Sequence, residues 1–188
     1  MPPSFDFTTF PVLTTERLIL RQITPDDAEG MSAIFGDPLV LRYLNQRPLD
    51  TPEKGRELID YLAGEYRQQV GVDWGIILPA DGRLIGMCGA YKLDRANRHM
   101  DIGYHMLPAY WGQGYATEAS RAMIGWCFDA FDLHRIQADC TEGNLASERV
   151  LLKCGLTEEG IWREICWEHG RFVNLKQFGL LRHEFKMP

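Results

Sequence analysis

The chain has 188 residues, 45% apolar and 24% charged, with a formal charge of −6. That length is enough for one globular domain whose core needs neither disulfides nor a structural metal. The acidic balance argues against bulk nucleic-acid binding, which calls for a basic face. No run of about 18 apolar residues is present to cross a membrane.

Residues 1–12, carrying Pro2, Pro3 and Pro11, read as a loose tail, and residues 13–188 as a single domain. Arg17 to Arg21 alternates and predicts a strand. Thr24-Pro25-Asp26-Asp27 predicts a helix start, with Thr24 as N-cap, Pro25 in the first turn and acids at the positive end of the dipole. Gly36-Asp37-Pro38 ends it. Thr51-Pro52-Glu53 repeats the start signal, and Leu58, Ile59, Leu62, Ala63 and Tyr66 form an apolar helical stripe.

Val72 to Leu78 and Leu84 to Leu93 read as a hairpin, with Asp81-Gly82 supplying positive φ at the turn. A further strand runs from about Arg98 to Met106. A glycine-rich stretch then opens a helix over about residues 116–130, striped by Ala116, Ala119, Met123, Trp126 and Ala130. Arg135 to Thr141 predicts a strand, residues 146–154 a short helix closed by Gly155. The last two strands, about 157–167 and 172–185, join through Glu168-His169-Gly170-Arg171. This order predicts an α/β (α+β) domain with a mixed, mostly antiparallel sheet and helices on both faces, not a repeating βαβ fold.

Five cysteines, Cys88, Cys127, Cys140, Cys154 and Cys166, form no C-x-x-C pair and no zinc-spaced cluster. They read as reduced thiols, most of them in the core of a cytoplasmic protein. The N-terminus lacks the basic and apolar regions of a signal peptide.

The chemistry concentrates in Tyr104 to Ala119. A strand runs into Gly112-Gln113-Gly114-Tyr115-Ala116-Thr117 and then into a helix. Small residues at 112, 114 and 116 let a ligand approach the main chain. The first N–H groups of the helix have no internal partner, so the turn is a candidate anion site. Thr117 stands where a dinucleotide fingerprint needs its third glycine, and no Gly-Lys-Ser/Thr triphosphate loop occurs.

This segment resembles the pyrophosphate loop of the GNAT superfamily of N-acetyltransferases. Its RimJ/RimL-like branch matches over about residues 13–186. Thr15 to Arg21 with Asp26-Asp27-Ala28, Asp101-Ile102-Gly103-Tyr104, Trp111 to Ala119, Asn144, Ser147, Lys153-Cys154-Gly155 and Gly170 to Phe185 follow the branch's order.

The resemblance implies a GNAT fold with a V-shaped opening between two parallel strands, here near Asp101–Met106 and Arg135–Thr141. It implies acetyl-CoA as acetyl donor. His105, Met106 and Leu107 would pair with the pantetheine arm, and a backbone N–H near Met106 or Leu107 would polarise the thioester oxygen. The N–H groups of Gly112, Gln113, Gly114, Tyr115, Ala116 and Thr117 would hold the pyrophosphate. Asn144 matches an asparagine that contacts pantetheine; its other reading is a turn residue. Ser147 is a candidate hydrogen-bond donor to the leaving thiolate or simply a first-turn helix residue. Many members carry a tyrosine acid where this chain has Leu151.

Asp101 is the first candidate general base, acting on a primary amine directly or through water. Its other reading is a solvent-facing strand aspartate. Asp139 and Glu142 are second choices. Cys140 as a nucleophile lacks an arguable histidine neighbour. Trp74, Tyr91, Tyr104, Tyr110, Trp162 and Trp167 are candidate acceptor walls or core. The acceptor is a protein N-terminal amine or a small-molecule amine. The alternatives are a non-catalytic acyl-CoA-binding sensor and a transferase using another acyl-CoA. The family resemblance leaves a homodimer open.

Overall fold

The computed structural model describes residues 5–186. In chain order these form β1 (Leu13–Thr14), β2 (Ile19–Gln22), α1 (Ala28–Gly36), α2 (Pro52–Arg67), β3 (Val72–Ile77), β4 (Leu84–Asp94), β5 (His99–Met106), α3 (Tyr115–Ala130), β6 (Arg135–Thr141), α4 (Leu145–Lys153), β7 (Thr157–Glu168) and β8 (Arg171–Leu181). The eight strands make one sheet in the order β1-β2-β3-β4-β5-β6-β8-β7. Only β5 and β6 run parallel; every other neighbouring pair is antiparallel.

Strand alternation divides the core between the two faces of the sheet. On one face Trp74, Ile76, Cys88, Met100, Ile102, Ile136 and Ala138 pack with Met123, Ile124, Cys127 and Phe128 of α3 and Leu151 of α4. On the other, Ile77 and Met87 pack with Met31, Ile34 and Phe35 of α1 and Ile59 of α2. The two early helices cross closely because residue 55 is glycine. A Cβ there would lie 2.3 Å from the Ala28 carbonyl oxygen.

The start of α1 is fixed by a buried acid. Asp27 Oδ2 accepts the Thr24 N–H at 2.8 Å, and Arg21 grips both carboxylate oxygens at 2.7 and 2.8 Å. Thr51 caps α2 by accepting the Lys54 N–H at 3.4 Å.

Two expectations change. From residue 5 onward the N-terminal segment is packed, not loose. Phe5, Phe7 and Phe10 meet the rings of Tyr66, Trp126, Phe131 and Trp74, and the Trp74 indole donates to the Pro11 carbonyl at 2.8 Å. The three prolines suggest a coil; the three phenylalanines between them decide the packing by burying apolar area. Residues 1–4 of the tail lie outside the described residues. At the other end β8 stops at Leu181, and residues 182–184 turn as a 3-10 helix. There the Arg182 N–H donates to the His134 carbonyl at 2.9 Å. Cys88, Cys127, Cys140 and Cys154 are buried and Cys166 is half-buried. Among the described residues no helix is long and apolar enough to cross a membrane.

Candidate active site

The parallel pair β5/β6 is short. It joins His99 to Arg135, Met100 to Ile136 and Asp101 to Gln137, and then stops. Beyond that point β5 stays on β4 as far as Met106, and β6 stays on β8 as far as Thr141. The strands therefore part, and an opening forms between Ile102–Met106 and Ala138–Thr141.

The Leu107 N–H donates to the Ile85 carbonyl at 2.9 Å, on the β4 side. Main-chain groups alternate in direction along a strand, so His105 also turns its N–H toward β4. Of His105, Met106 and Leu107, Met106 alone turns its main chain to the opening. Its carbonyl accepts the Trp111 indole N–H at 2.7 Å. The His105 ring lies on the α1 face, 4.8 Å from the Phe35 ring, and burial lowers its pKa to about 4. It is neutral at pH 7.

At the mouth of the opening, Gly112 and Gly114 hold φ of 74° and 85°, a region costly for any residue with a Cβ. Nothing lies within 4 Å of where a Gly112 Cβ would stand. Gln113 Nε2 anchors the loop on the Ala109 carbonyl at 3.0 Å. Gly114 caps α3 without a side-chain acceptor. Among the described residues the N–H groups of Gly112, Gln113, Gly114, Tyr115, Ala116 and Thr117 have no acceptor. Six unpaired donors at a helix N-terminus suit a pyrophosphate.

This loop is braced from the first strands. Thr15 Oγ1 and the Arg17 N–H donate to Glu118 Oε1 at 2.6 and 2.9 Å, and Arg17 Nη1 donates to the Gln113 carbonyl at 2.9 Å. Desolvation pushes the Glu118 carboxyl up, yet these bonds from Thr15 and Arg17 hold it below the ordinary carboxylate range.

Two hydroxyls meet across the α3/α4 face of the opening. Tyr104 Oη lies 2.9 Å from Ser147 Oγ and donates to the Ser147 carbonyl at 3.1 Å. Burial pushes the Tyr104 phenol well above its ordinary pKa. Asn144 is the N-cap of α4, its Oδ1 accepting the Ser147 N–H at 3.3 Å. Leu151 faces the core and is 1% exposed. From the sequence Tyr104 reads as an acceptor wall or core residue; lying three residues past Asp101, it falls on the opposite face of β5.

The α1/α2 face carries the acids. Asp101, where the strands part, has both oxygens engaged: Lys92 Nζ donates at 2.9 Å and Gln137 Nε2 at 2.7 Å. Asp139 lies two residues beyond Gln137, beside the opening, and its carboxylate takes no hydrogen bond among the described residues. Desolvation raises its pKa, Asp101 and Glu168 reinforce the rise, and Lys92 opposes it. The Tyr91 phenol is pushed up by burial and by Asp139, Asp101 and Asp73. Cys140 points to the opposite face and burial raises its thiol to about 11, so it is not a thiolate at neutral pH. Trp74 is fully buried core, whereas Trp162 and Trp167 are exposed on β7.

The acetyltransferase (GNAT) domain model matches residues 17–157, and the chain belongs to that family; it is an N-acetyltransferase of the GNAT type. It is 37% identical over 173 residues to the uncharacterized N-acetyltransferase YoaA of Bacillus subtilis (strain 168), covering 92% of this chain and 98% of the relative. A GNAT-family acetyltransferase from Bacillus anthracis superposes with a TM-score of 0.82 at 26% identity, over 93% of this chain and 100% of the other. The ribosomal-protein-S5-alanine acetyltransferase of Vibrio fischeri shares the fold, with a TM-score of 0.81 at 21% identity over 94% of this chain and 100% of the other.

Proposed function

We propose that the chain transfers acetyl from acetyl-CoA to a primary amine, a peptide N-terminus or a small amine, by direct attack in a ternary complex. One observation carries this reading. A single opening has unpaired N–H donors at its mouth, paired hydroxyls on one face and an unpaired carboxylate on the other.

The donor thioester supplies the acetyl group. The N–H groups from Gly112 to Thr117 hold the pyrophosphate, and Asn144, whose amide nitrogen has no partner among the described residues, turns it to the pantetheine arm. The Met106 N–H, directed into the opening, is the oxyanion donor, in place of Leu107, whose N–H is engaged. Asp139 takes the proton released as the amine nitrogen forms its bond to carbon. An α-amine with pKa about 8 is roughly a tenth neutral at pH 7, so a carboxylate with a raised pKa beside the opening is useful. Asp101, with both oxygens held, supports Asp139 through its field and does not take the proton itself. As the carbon–sulfur bond breaks, the Tyr104–Ser147 pair delivers a proton to the sulfur, the task Leu151 cannot perform.

A cytoplasmic location belongs to the same reading, since free thiols persist in a reducing compartment. Thermal melts with acetyl-CoA test the donor site. At about 100 times the dissociation constant the native state gains about 2.7 kcal/mol. Turnover against N-terminal peptides, amino acids and polyamines tests the transfer. No melting shift at millimolar acetyl-CoA overturns the donor assignment; a shift without turnover of any amine overturns the transfer.

A further inference from the structure

A second cavity, of about 220 Å³, lies on the acid-bearing side of the sheet, its lining including Arg42, Tyr43, Thr141, Glu168, His169 and Arg171. Its roof is the short turn Leu41–Tyr43 between α1 and α2. Two hydrogen bonds pin that roof to the far wall. Tyr43 Oη donates to the Gly143 carbonyl at 3.2 Å, and His169 Nε2 lies 3.2 Å from the Leu41 carbonyl.

The wall of this cavity holds a buried carboxylate. Glu168 is 6% exposed, and Thr141 donates to its Oε1 at 2.7 Å. Its Oε2 takes no hydrogen bond among the described residues, and the side chain forms no ion pair there. A buried charge ordinarily has a partner. Arg171 is its cross-strand neighbour, yet the bond from Thr141 holds the carboxylate inward while Arg42 and Arg171 stay exposed. Exposed guanidinium groups are screened by water, whereas the field of a buried carboxylate acts at lower dielectric. Thr141, which holds Glu168, follows Asp139 by two residues on the same face of β6, so the cavity lies beside the proposed base.

We infer that Glu168 and Thr141 form a cation subsite, and that the preferred acceptor carries a second ammonium or guanidinium group besides the amine it presents to Asp139. The inference rests on the acetyltransferase reading and names its substrate class. The second cation gives Glu168 the partner it lacks and fixes the distance to the reacting nitrogen.

The test compares α,ω-diaminoalkanes of increasing length with monoamines of the same length, using the full chain. At the optimal length the diamine is expected to exceed its monoamine at least tenfold in kcat/KM. Glu168→Gln keeps an acceptor for the Thr141 hydroxyl. It is expected to reduce the preference to under threefold, leaving the acetyl-CoA melting shift within twofold. Calorimetric binding of the same amines gives a readout independent of turnover, with the same tenfold preference expected. Equal handling of mono- and diamines by the wild type overturns the subsite while leaving the transferase reading intact. So does a diamine preference that survives Glu168→Gln, or tighter calorimetric binding of monoamines. Failure of every amine to turn over overturns the transferase reading, and the binding ratio then decides the subsite alone.

Discussion

Arg17 clasps Glu118: its Nε donates to Glu118 Oε2 at 2.7 Å, and its main-chain N–H donates to Oε1 at 2.9 Å. Its guanidinium also lies 4.6 Å from the Tyr115 ring centroid. The glycine turn is therefore held from both sides, by the opening strands and by the first turn of α3.

Replacing Arg17 with alanine is expected to loosen the donor loop more than the fold. The ion pair is 43% and 18% exposed on its two sides, so the stability loss is about 1 kcal/mol or less. The acetyl-CoA KM is expected to rise about five- to twentyfold because the N–H groups are no longer preorganised. Thermal melts beside steady-state kinetics separate the two effects; an unchanged KM refutes the bracing role.

The Tyr104–Ser147 pair predicts coupled loss. Tyr104→Phe and Ser147→Ala are each expected to lower kcat by about 10²-fold, the low end for general acid catalysis. The double variant is expected to lose little more than either single one, as the proposed shared proton path requires. Strictly multiplicative losses would show separate roles. Cys140→Ala should keep most of the activity, because its thiol is pushed up to about 11.

Asp139 predicts an acidic limb in kcat/KM. With Asp139 as the proposed base the carboxylate is the active form, so the rate is expected to fall as pH drops through a pKa above the ordinary aspartate range. Asp139→Asn is expected to remove that limb and lower kcat/KM by about 10²–10⁴-fold. If the limb survives in Asp139→Asn and vanishes in Asp101→Asn, the base is Asp101.

Asp73 makes a stability prediction. Burial, with a smaller contribution from Glu65, raises its carboxyl to about 7. It bends over Gly89, where an added Cβ would lie 1.9 Å from its Oδ1. The unfolded chain ionises it near 3.9. Between these values the native state binds more protons than the unfolded one, so stability falls as pH rises from about 4 to 7. Asp73→Asn should add about 1–3 kcal/mol at pH 8 relative to wild type and close to nothing at pH 4. Melting curves at the two pH values measure it; an equal gain at both rules out the charge as cause.

Much of the fold was legible because its signals are local. Asp81-Gly82 marked the turn between β3 and β4, and Arg135–Thr141 read as the strand the structure contains. The prolines of the N-terminal segment signal coil locally, while Phe5, Phe7 and Phe10 reveal their role only against Tyr66 and Trp126. Glu168 read as a turn residue, since nothing nearby in the chain indicates that Thr141 buries it.

The sequence by itself determined the anion turn. Positive φ at Gly112 and Gly114 and the unpaired N–H groups of a helix start follow from residues adjacent in the chain. Only the tertiary structure decided where the candidate reacting groups stand. Asp101 loses its freedom to Lys92 and Gln137, and Tyr104 meets Ser147 across 43 positions. Glu168 meets Thr141 across 27, and Arg17 meets Glu118 across 101. Such contacts follow from which strands remain paired and which part, a competition among distant segments that no local pattern encodes.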